Sequence, residues 1–333
     1  MKSLLAYSKG HSLAGSKSVS PFWVMVKKEV ADQVHSWRFI IMALLILLTW
    51  IGSMYVSLSN IRAAMENVRE HDTVYFYLKL LTTTDRSLPP FHVFIGFLGP
   101  LLGIALGFDA INAEQSNGTL IRLMAQPVYR DSLLNAKFTA SLIVVSILFF
   151  SLNMLMVGGG MLITGVHIEG AEFVRILCFV VLSVIYVAFW LNLSILLSVK
   201  FRQSATSALT AIAIWLFFTV FYPILVQIIL KGILPDPNSL SPEQMVIYNQ
   251  IRHNFLLVVP GQMYADGTTT LLMPVVRSMG PLSMEQMAMA VPSPLPLRES
   301  LLITWPQVSG LIAATVACFA VSYWLFMRRE IRT

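Results

Sequence analysis

Long apolar runs separated by short polar stretches are the main pattern of this chain. Six runs hold almost no Asp, Glu, Lys or Arg, and each is long enough for the helix of about 20 residues that crosses a bilayer. The pattern predicts an all-α polytopic membrane protein with six transmembrane helices. The predicted spans cover about 39–58, 91–113, 138–166, 176–199, 204–230 and 306–327.

The stretch before the first span predicts an amphipathic elbow helix over residues 21–38. Ser20 can cap this helix, and Pro21 suits its first position. Its apolar residues recur at spacings of four and three, which places them on one face. They are Phe22, Val26, Val30, Val34 and Trp37. We expect this helix to lie on the membrane surface, and the alternative is a soluble helix packed on a partner.

The remaining polar stretches complete the organisation. Residues 1–20 predict a flexible basic cytoplasmic tail, and 21–333 a single transmembrane domain. The outer insertion, 231–305, contains "VPGQMYADGTTTLLMP", which is too broken to span and too apolar for a free loop. We expect short helices in the outer leaflet before the last span, for instance Gln262–Leu272.

Composition and charge placement agree with a membrane location. The chain is 56% hydrophobic and 12% charged, whereas soluble domains have about 25% charged residues. Its net charge of +6 is not gathered into a basic stripe with interleaved aromatics, so no nucleic-acid partner is predicted. Segments 1–38, 114–137, 200–203 and 328–333 carry six, three, two and three Lys or Arg, while 59–90 and 167–175 carry four and one. The bias predicts that both termini are cytoplasmic. We expect the chain in the cell inner (plasma) membrane.

Several kinds of catalytic and binding chemistry are missing from the sequence. It has no G-x-x-x-x-G-K-[ST] loop for ATP phosphates, no H-E-x-x-H and no Cys-x-x-Cys. We therefore predict no catalytic residues, no metal site and no cofactor in this chain. The scarcity of charge inside the spans also weakens the hypothesis of a channel or secondary transporter that works alone.

One polar segment, "EQSNGTLIRLMAQPVYRDSLLNAK" at 114–137, interrupts the apolar runs between the second and third spans. Asn117-Gly118 favours a turn, and Thr119 can cap a short amphipathic helix through Met124. Pro127 would end that helix, and Asp131 can cap the next one. Two interpretations remain open, a docking element for a soluble partner or an ordinary interfacial loop.

The residues of this segment resemble the E-x-x-x-G-T-L…P-[IV]-x-R…K signature of ABC transporter permeases of the type-2 exporter family. They are Glu114, Gly118-Thr119-Leu120, Leu123, Pro127-Val128, Arg130, Leu133-Leu134 and Lys137. "KKE" at 27–29, the stretch 196–209 and the stretch 259–274 are similar to further elements of that family. The resemblance is closest to the subgroup containing the permeases for maturation of nitrous oxide reductase, a copper enzyme. The sequence departs from the family pattern at Asn135-Ala136, Val259 and Asp266-Gly267. These departures weaken any inference of this chain's substrate from that subgroup.

The resemblance implies a permease subunit of an ATP-driven exporter, with ATP and Mg on separate ABC ATPase subunits. The pathway would form between two permease copies, or between this chain and a sister permease, and the substrate is not implied. The implied ATPase-coupling residues are Glu114, Gly118, Thr119, Leu120, Ile121, Arg122, Leu123, Met124, Pro127 and Arg130. Lys200 and Arg202 are expected in a second cytoplasmic contact loop. A membrane anchor or assembly platform stays open as an alternative function.

Overall fold

A computed structural model describes residues 20–67, 75–83, 88–119, 130–233, 241–274 and 295–328 of the chain. Within these ranges the chain is helical and contains no strand. The helices are α1 Pro21–Val34, α2 Trp37–Asn67, α3 Phe76–Thr82, α4 Phe91–Gly107, α5 Asn112–Ser116, α6 Arg130–Thr164, α7 Gly170–Lys200, α8 Ser204–Leu216, α9 Tyr222–Ile233, α10 Pro242–Leu256, α11 Pro260–Leu272 and α12 Leu297–Arg328.

Six helical stretches are long and apolar enough to cross a membrane, as the sequence predicts. They are Trp37–Ser59, Phe91–Ser116, Asp131–Thr164, Gly170–Lys200, Ser204–Ile233 and Leu297–Arg328. The predicted fold class is therefore confirmed, and the chain is a multi-pass membrane protein. We refer to the end of the bundle at which α1 lies as the elbow end, and to the opposite end as the far end.

Helix α7, the fourth span, lies at the centre of the bundle. Its Phe179, Tyr186 and Trp190 side chains are buried, and α4, α6, α11 and α12 all pack against it. Two α4 glycines permit an unusually close approach. A Cβ atom at Gly103 would lie 2.8 Å from Val187 O, and one at Gly107 would lie 2.8 Å from a second α7 carbonyl. At these two positions the backbones of α4 and α7 are therefore in direct contact.

One face of the elbow helix α1 packs on the third span, and other residues of the predicted apolar stripe stay exposed. Val26 is buried against Ala136 and Ala140 of α6, whereas Val34 is 42% and Trp37 78% exposed. The predicted helix is confirmed, although it ends at Val34 and Trp37 begins α2. Ser20 occupies the N-cap position with Pro21 after it, but its side chain makes no capping hydrogen bond.

Short helices cover the far end, where α7 holds two of them. The Glu172 carboxylate accepts a hydrogen bond from Tyr77 N at 3.2 Å, at the start of α3. The buried Arg175 guanidinium donates to Leu271 O at 3.1 Å, near the end of α11, and to Ser300 Oγ at 2.9 Å. A carboxylate thus meets a helix N-terminus and a cation meets a helix C-terminus, the arrangement that helix dipoles favour.

The fifth span contains a break that the sequence analysis did not predict. A π-helical turn, Phe217–Phe221, separates α8 from α9, and Tyr222 N donates to Phe217 O. Pro223 follows at once, and it has no N–H for the carbonyl of Thr219, four residues earlier. Proline at this point accounts for the departure from α-helical hydrogen bonding in an otherwise continuous span.

Candidate functional site

The structure describes both ends of the predicted coupling segment, 114–137, but not its middle. Glu114 lies in α5, and Gly118 has φ +67°, the left-handed conformation that the predicted turn requires. Arg130 is the first residue of α6. Leu120, Ile121, Arg122, Leu123, Met124 and Pro127 lie outside the described residues, so the predicted short helix stays a prediction.

A buried lysine joins the two ends of this segment. Lys137, 7% exposed, places its Nζ 3.2 Å from Glu114 Oε1 and 2.9 Å from Glu29 Oε2 of the elbow helix. We call Glu29, Glu114 and Lys137 the neck. The neck holds α1, the end of the second span and the start of the third span at one point.

Glu114 also orders the turn that follows it. The Thr119 hydroxyl lies 3.1 Å from Glu114 O and makes a short hydrogen bond to the Glu114 carboxylate. One carboxylate therefore contacts Lys137 through one oxygen and Thr119 through the other. Of the predicted coupling residues, the structure brings Glu114 and Thr119 into contact.

The elbow helix makes a second polar contact with the third span beside the neck. Gln33 Nε2 donates to Ser141 Oγ at 2.6 Å, and Ser141 Oγ donates to Lys137 O at 2.9 Å. Glu29 and Gln33 are one helical turn apart on α1, and Lys137 and Ser141 are one turn apart on α6. Two successive turns of α1 thus each make a polar contact with α6, Glu29 with Lys137 and Gln33 with Ser141.

A polar cavity of about 170 Å³ lies next to the neck, between α1 and the second span. At its rim, Arg38 Nη1 lies 2.6 Å from Asp109 Oδ2, and the guanidinium stacks 4.9 Å from the Phe108 ring centroid. This pair is more exposed than the neck, with side-chain exposures of 47% and 19%. It connects the start of α2 to the turn that ends the second span.

The second predicted contact loop lies at the same end of the bundle. Lys200 ends α7, and both Lys200 and Arg202 are exposed. Ser198 Oγ accepts hydrogen bonds from Ile111 N at 3.0 Å and Asn112 N at 3.2 Å. The turn before α5 is therefore attached to the last turn of α7, which places the start of the 114–137 segment near the loop that holds Lys200 and Arg202.

Sequence reasoning did not assign a role to Glu29, Gln33, Ser141 or the Arg38–Asp109 pair. Lys137 entered only through the family signature and was not proposed as a site residue. A usable signal was present for Glu29, since it shares the buried face of α1 with Val26 and Gln33 at spacings of three and four. A carboxylate on such a face predicts a cation on the neighbouring helix.

Glu29 and Glu114 contact Lys137 from two different helices, so the described ends of the 114–137 segment are attached to α1 and to both adjoining spans. Among the described residues, no group of three His, Cys, Asp or Glu side chains could hold a metal ion.

Comparison with known proteins identifies the family of this chain. The sequence model of a family described as "ABC-2 family transporter protein" matches residues 23–331, nearly the whole chain. The probable ABC transporter permease protein NosY of Stutzerimonas stutzeri is 26% identical over 148 residues, which are 44% of this chain. The matched region spans about half, 52%, of that relative's length.

Proposed function

Because the chain belongs to the ABC-2 transporter family, we propose that it is the permease subunit of an ATP-driven exporter coupled to separate ABC ATPase subunits through residues 114–137. It works as a dimer, either with a second copy or with a sister permease. ATP and Mg bind and react on the ATPase subunits. The permease subunit itself catalyses no reaction.

The neck is the observation that carries this proposal. An interfacial loop without a mechanical role needs no buried lysine between two carboxylates at its base, because burying three charges is unfavourable unless their geometry is fixed. Lys137 lies within 3.2 Å of both Glu29 and Glu114, and it connects the segment to three helices. That is the connection a docking element needs in order to move the spans with it.

The proposed cycle uses the neck as the joint between the ATPase subunits and the bundle. Closure of two ATPase subunits on ATP displaces Leu120, Ile121, Leu123 and Met124, which sit in a groove of the ATPase. Arg122 and Arg130 make polar contacts with the ATPase surface, and Lys200 and Arg202 make the second contact. The neck then shifts α1, the second span and α6 together, a rigid-body motion of the kind that switches access in transporters.

The membrane arrangement follows from the charge bias and from burial. The chain lies in the inner membrane with both termini in the cytoplasm. The elbow end, which carries the basic segments, is then the cytoplasmic end. The first, fifth and sixth spans are mostly exposed in a single copy, whereas the second, third and fourth are at least half buried. The exposed spans are available for lipid and for the partner permease.

Site-specific photo-crosslinking tests the proposal. A photoreactive amino acid at Leu123 should crosslink to an ABC ATPase subunit that is co-expressed with this chain in membranes. The matched control is the same amino acid at Arg298, an exposed residue in the first turn of α12 at the far end. Crosslinks from Leu123 alone support the proposal, and equal crosslinking from both positions, or from neither, contradicts it.

A further inference from the structure

A second cavity, of about 450 Å³, lies at the far end between α4, the π-helical turn, α10 and α11. Its volume falls within the range of about 300–1,000 Å³ found for small-molecule sites. Val93 and Phe97 of α4 line it and are 47% and 51% exposed in the single copy. The cavity is therefore accessible from the side of the bundle, between the second and fifth spans.

Aromatic rings form much of the wall of this cavity. Tyr186 and Tyr264 stack with centroids 4.4 Å apart, and Phe97 and Phe218 also line the space. Phe218 belongs to the π-helical turn, a feature that occurs frequently at functional sites. These rings favour an apolar or aromatic ligand body.

Most of the polar groups in the wall already donate their hydrogen to a protein carbonyl, so they can offer a ligand only an acceptor. The Tyr186 hydroxyl donates to Gly96 O at 2.9 Å, and the Thr268 hydroxyl lies 2.9 Å from Tyr264 O. His92 Nδ1 lies 3.3 Å from a backbone carbonyl, so in the neutral ring Nδ1 carries the hydrogen and Nε2 is an acceptor.

The lining contains one formal charge, and it is positive. Arg252 of α10 is exposed, and no carboxylate is among the residues that line the cavity. Among the described residues, no carboxylate lies within ion-pair distance of Arg252. The neighbouring Asp266 carboxylate instead faces His253, at 3.4 Å, and Gln262. The guanidinium therefore has its five donors available for an anion.

We propose that this cavity binds an anionic amphiphile, whose charged head contacts Arg252 and whose apolar body lies between the rings of Phe97, Phe218, Tyr186 and Tyr264. The head is placed at α10 because the rest of the wall offers chiefly acceptors. The ligand enters from the side, past Val93 and Phe97. The site belongs to one copy of the chain and does not depend on the coupling segment.

Binding of oleate to the purified full chain, measured by native mass spectrometry in an uncharged detergent, tests the proposal. We expect one oleate per chain and at least about tenfold weaker binding in Arg252→Gln, since a charge-assisted hydrogen bond is lost. Oleyl alcohol, which has the same chain and no charge, should bind wild type and variant equally. Arg298→Gln, which removes an exposed cation elsewhere at the far end, is the matched control and should bind oleate like wild type.

The same measurement with phosphatidylglycerol and phosphatidylcholine distinguishes the source of the ligand. Arg252-dependent binding of phosphatidylglycerol identifies a membrane lipid, and binding of oleate without phosphatidylglycerol identifies a single-chain amphiphile. Either result supports the site. Equal binding of oleate and oleyl alcohol, or equal losses in Arg252→Gln and Arg298→Gln, would overturn it. An unchanged melting temperature in Arg252→Gln shows that the variant is folded.

Discussion

Replacing Lys137 by methionine is the sharpest perturbation of the neck, because it removes the cation and keeps an unbranched side chain of similar length. The Glu29 and Glu114 carboxylates would then lie close together without the cation that joins them. Their side chains are only 11% and 16% exposed, so water screens them little. Thr119 can still donate to Glu114, but no donor in the neck replaces the lysine for Glu29.

The size of the effect follows from the burial of the network. Removing one partner of a buried ion pair destabilises a protein by about 3–5 kcal/mol. The adjacent cavity of about 170 Å³ has room for water, which partly solvates the stranded carboxylates. We therefore expect the lower end of that range, about 3 kcal/mol, which corresponds to roughly 6–12 °C in domains of about 150–250 residues and to less in a longer chain.

Thermal unfolding of the purified chain in detergent measures this loss. The matched control is Lys28→Met on α1, the helix that carries Glu29. Lys28 Nζ lies 4.0 Å from Asp32, and both side chains are at least 60% exposed. After discounting for solvent screening, that pair contributes at most about 0.5 kcal/mol. Adding Glu29→Gln and Glu114→Gln to Lys137→Met should recover most of the stability, because no unpaired charge remains. Equal melting temperatures for Lys137→Met and Lys28→Met would refute the buried network.

Two further predictions concern the core and the far end. Gly103→Ala should destabilise the chain by about 1–3 kcal/mol, because its Cβ would meet Val187 O at 2.8 Å. The control Gly158→Ala, whose Cβ would have no atom within 4 Å, should be neutral or stabilising. Similar melting temperatures for the two variants would contradict the close α4–α7 contact. Burial raises the pKa of Asp266, against the lowering effects of a hydrogen bond and of His253. The folded state then holds this proton more tightly than the unfolded state, so stability should rise as the pH falls from about 7 through the raised pKa and reach its full gain below the usual aspartate value of about 4. Asp266→Asn should lack this rise in melting temperature, and an unchanged pH profile in the variant would contradict it.

The spans and the elbow helix could be predicted because their signals are local. Each span is an uninterrupted apolar run, and the elbow has one apolar stripe at helical spacing, so neither depends on knowing what packs where. The helix α3 was missed for the opposite reason. Its N-terminus is fixed by Glu172, which is 95 residues away in the chain, and that contact leaves no trace in the local sequence.

The candidate site was partly predictable for the same reason. Gly118 and the turn at the start of the segment follow from residue preferences, and the structure shows the expected positive φ. The neck does not follow from residue preferences, since Lys137 and Glu29 are 108 residues apart and meet only when α1 packs on α6. A polar residue on an apolar face indicates that a partner exists, but it does not say which residue the partner is. The local signal for the π-helical turn in the fifth span is Pro223, which lacks the N–H that a regular α-helix needs there.

Capture of a co-expressed ABC ATPase subunit by the purified chain is the most direct test of the proposed coupling role. Wild type and the double variant Leu120→Asp, Leu123→Asp would be compared in detergent, with bound ATPase and ATP hydrolysis read together and Lys28→Met as the control for a change at the elbow end. The proposal predicts that wild type and Lys28→Met retain an active ATPase, while the double variant loses it and keeps its melting temperature. Undiminished capture by a folded double variant, or no capture by wild type, would contradict docking at residues 114–137.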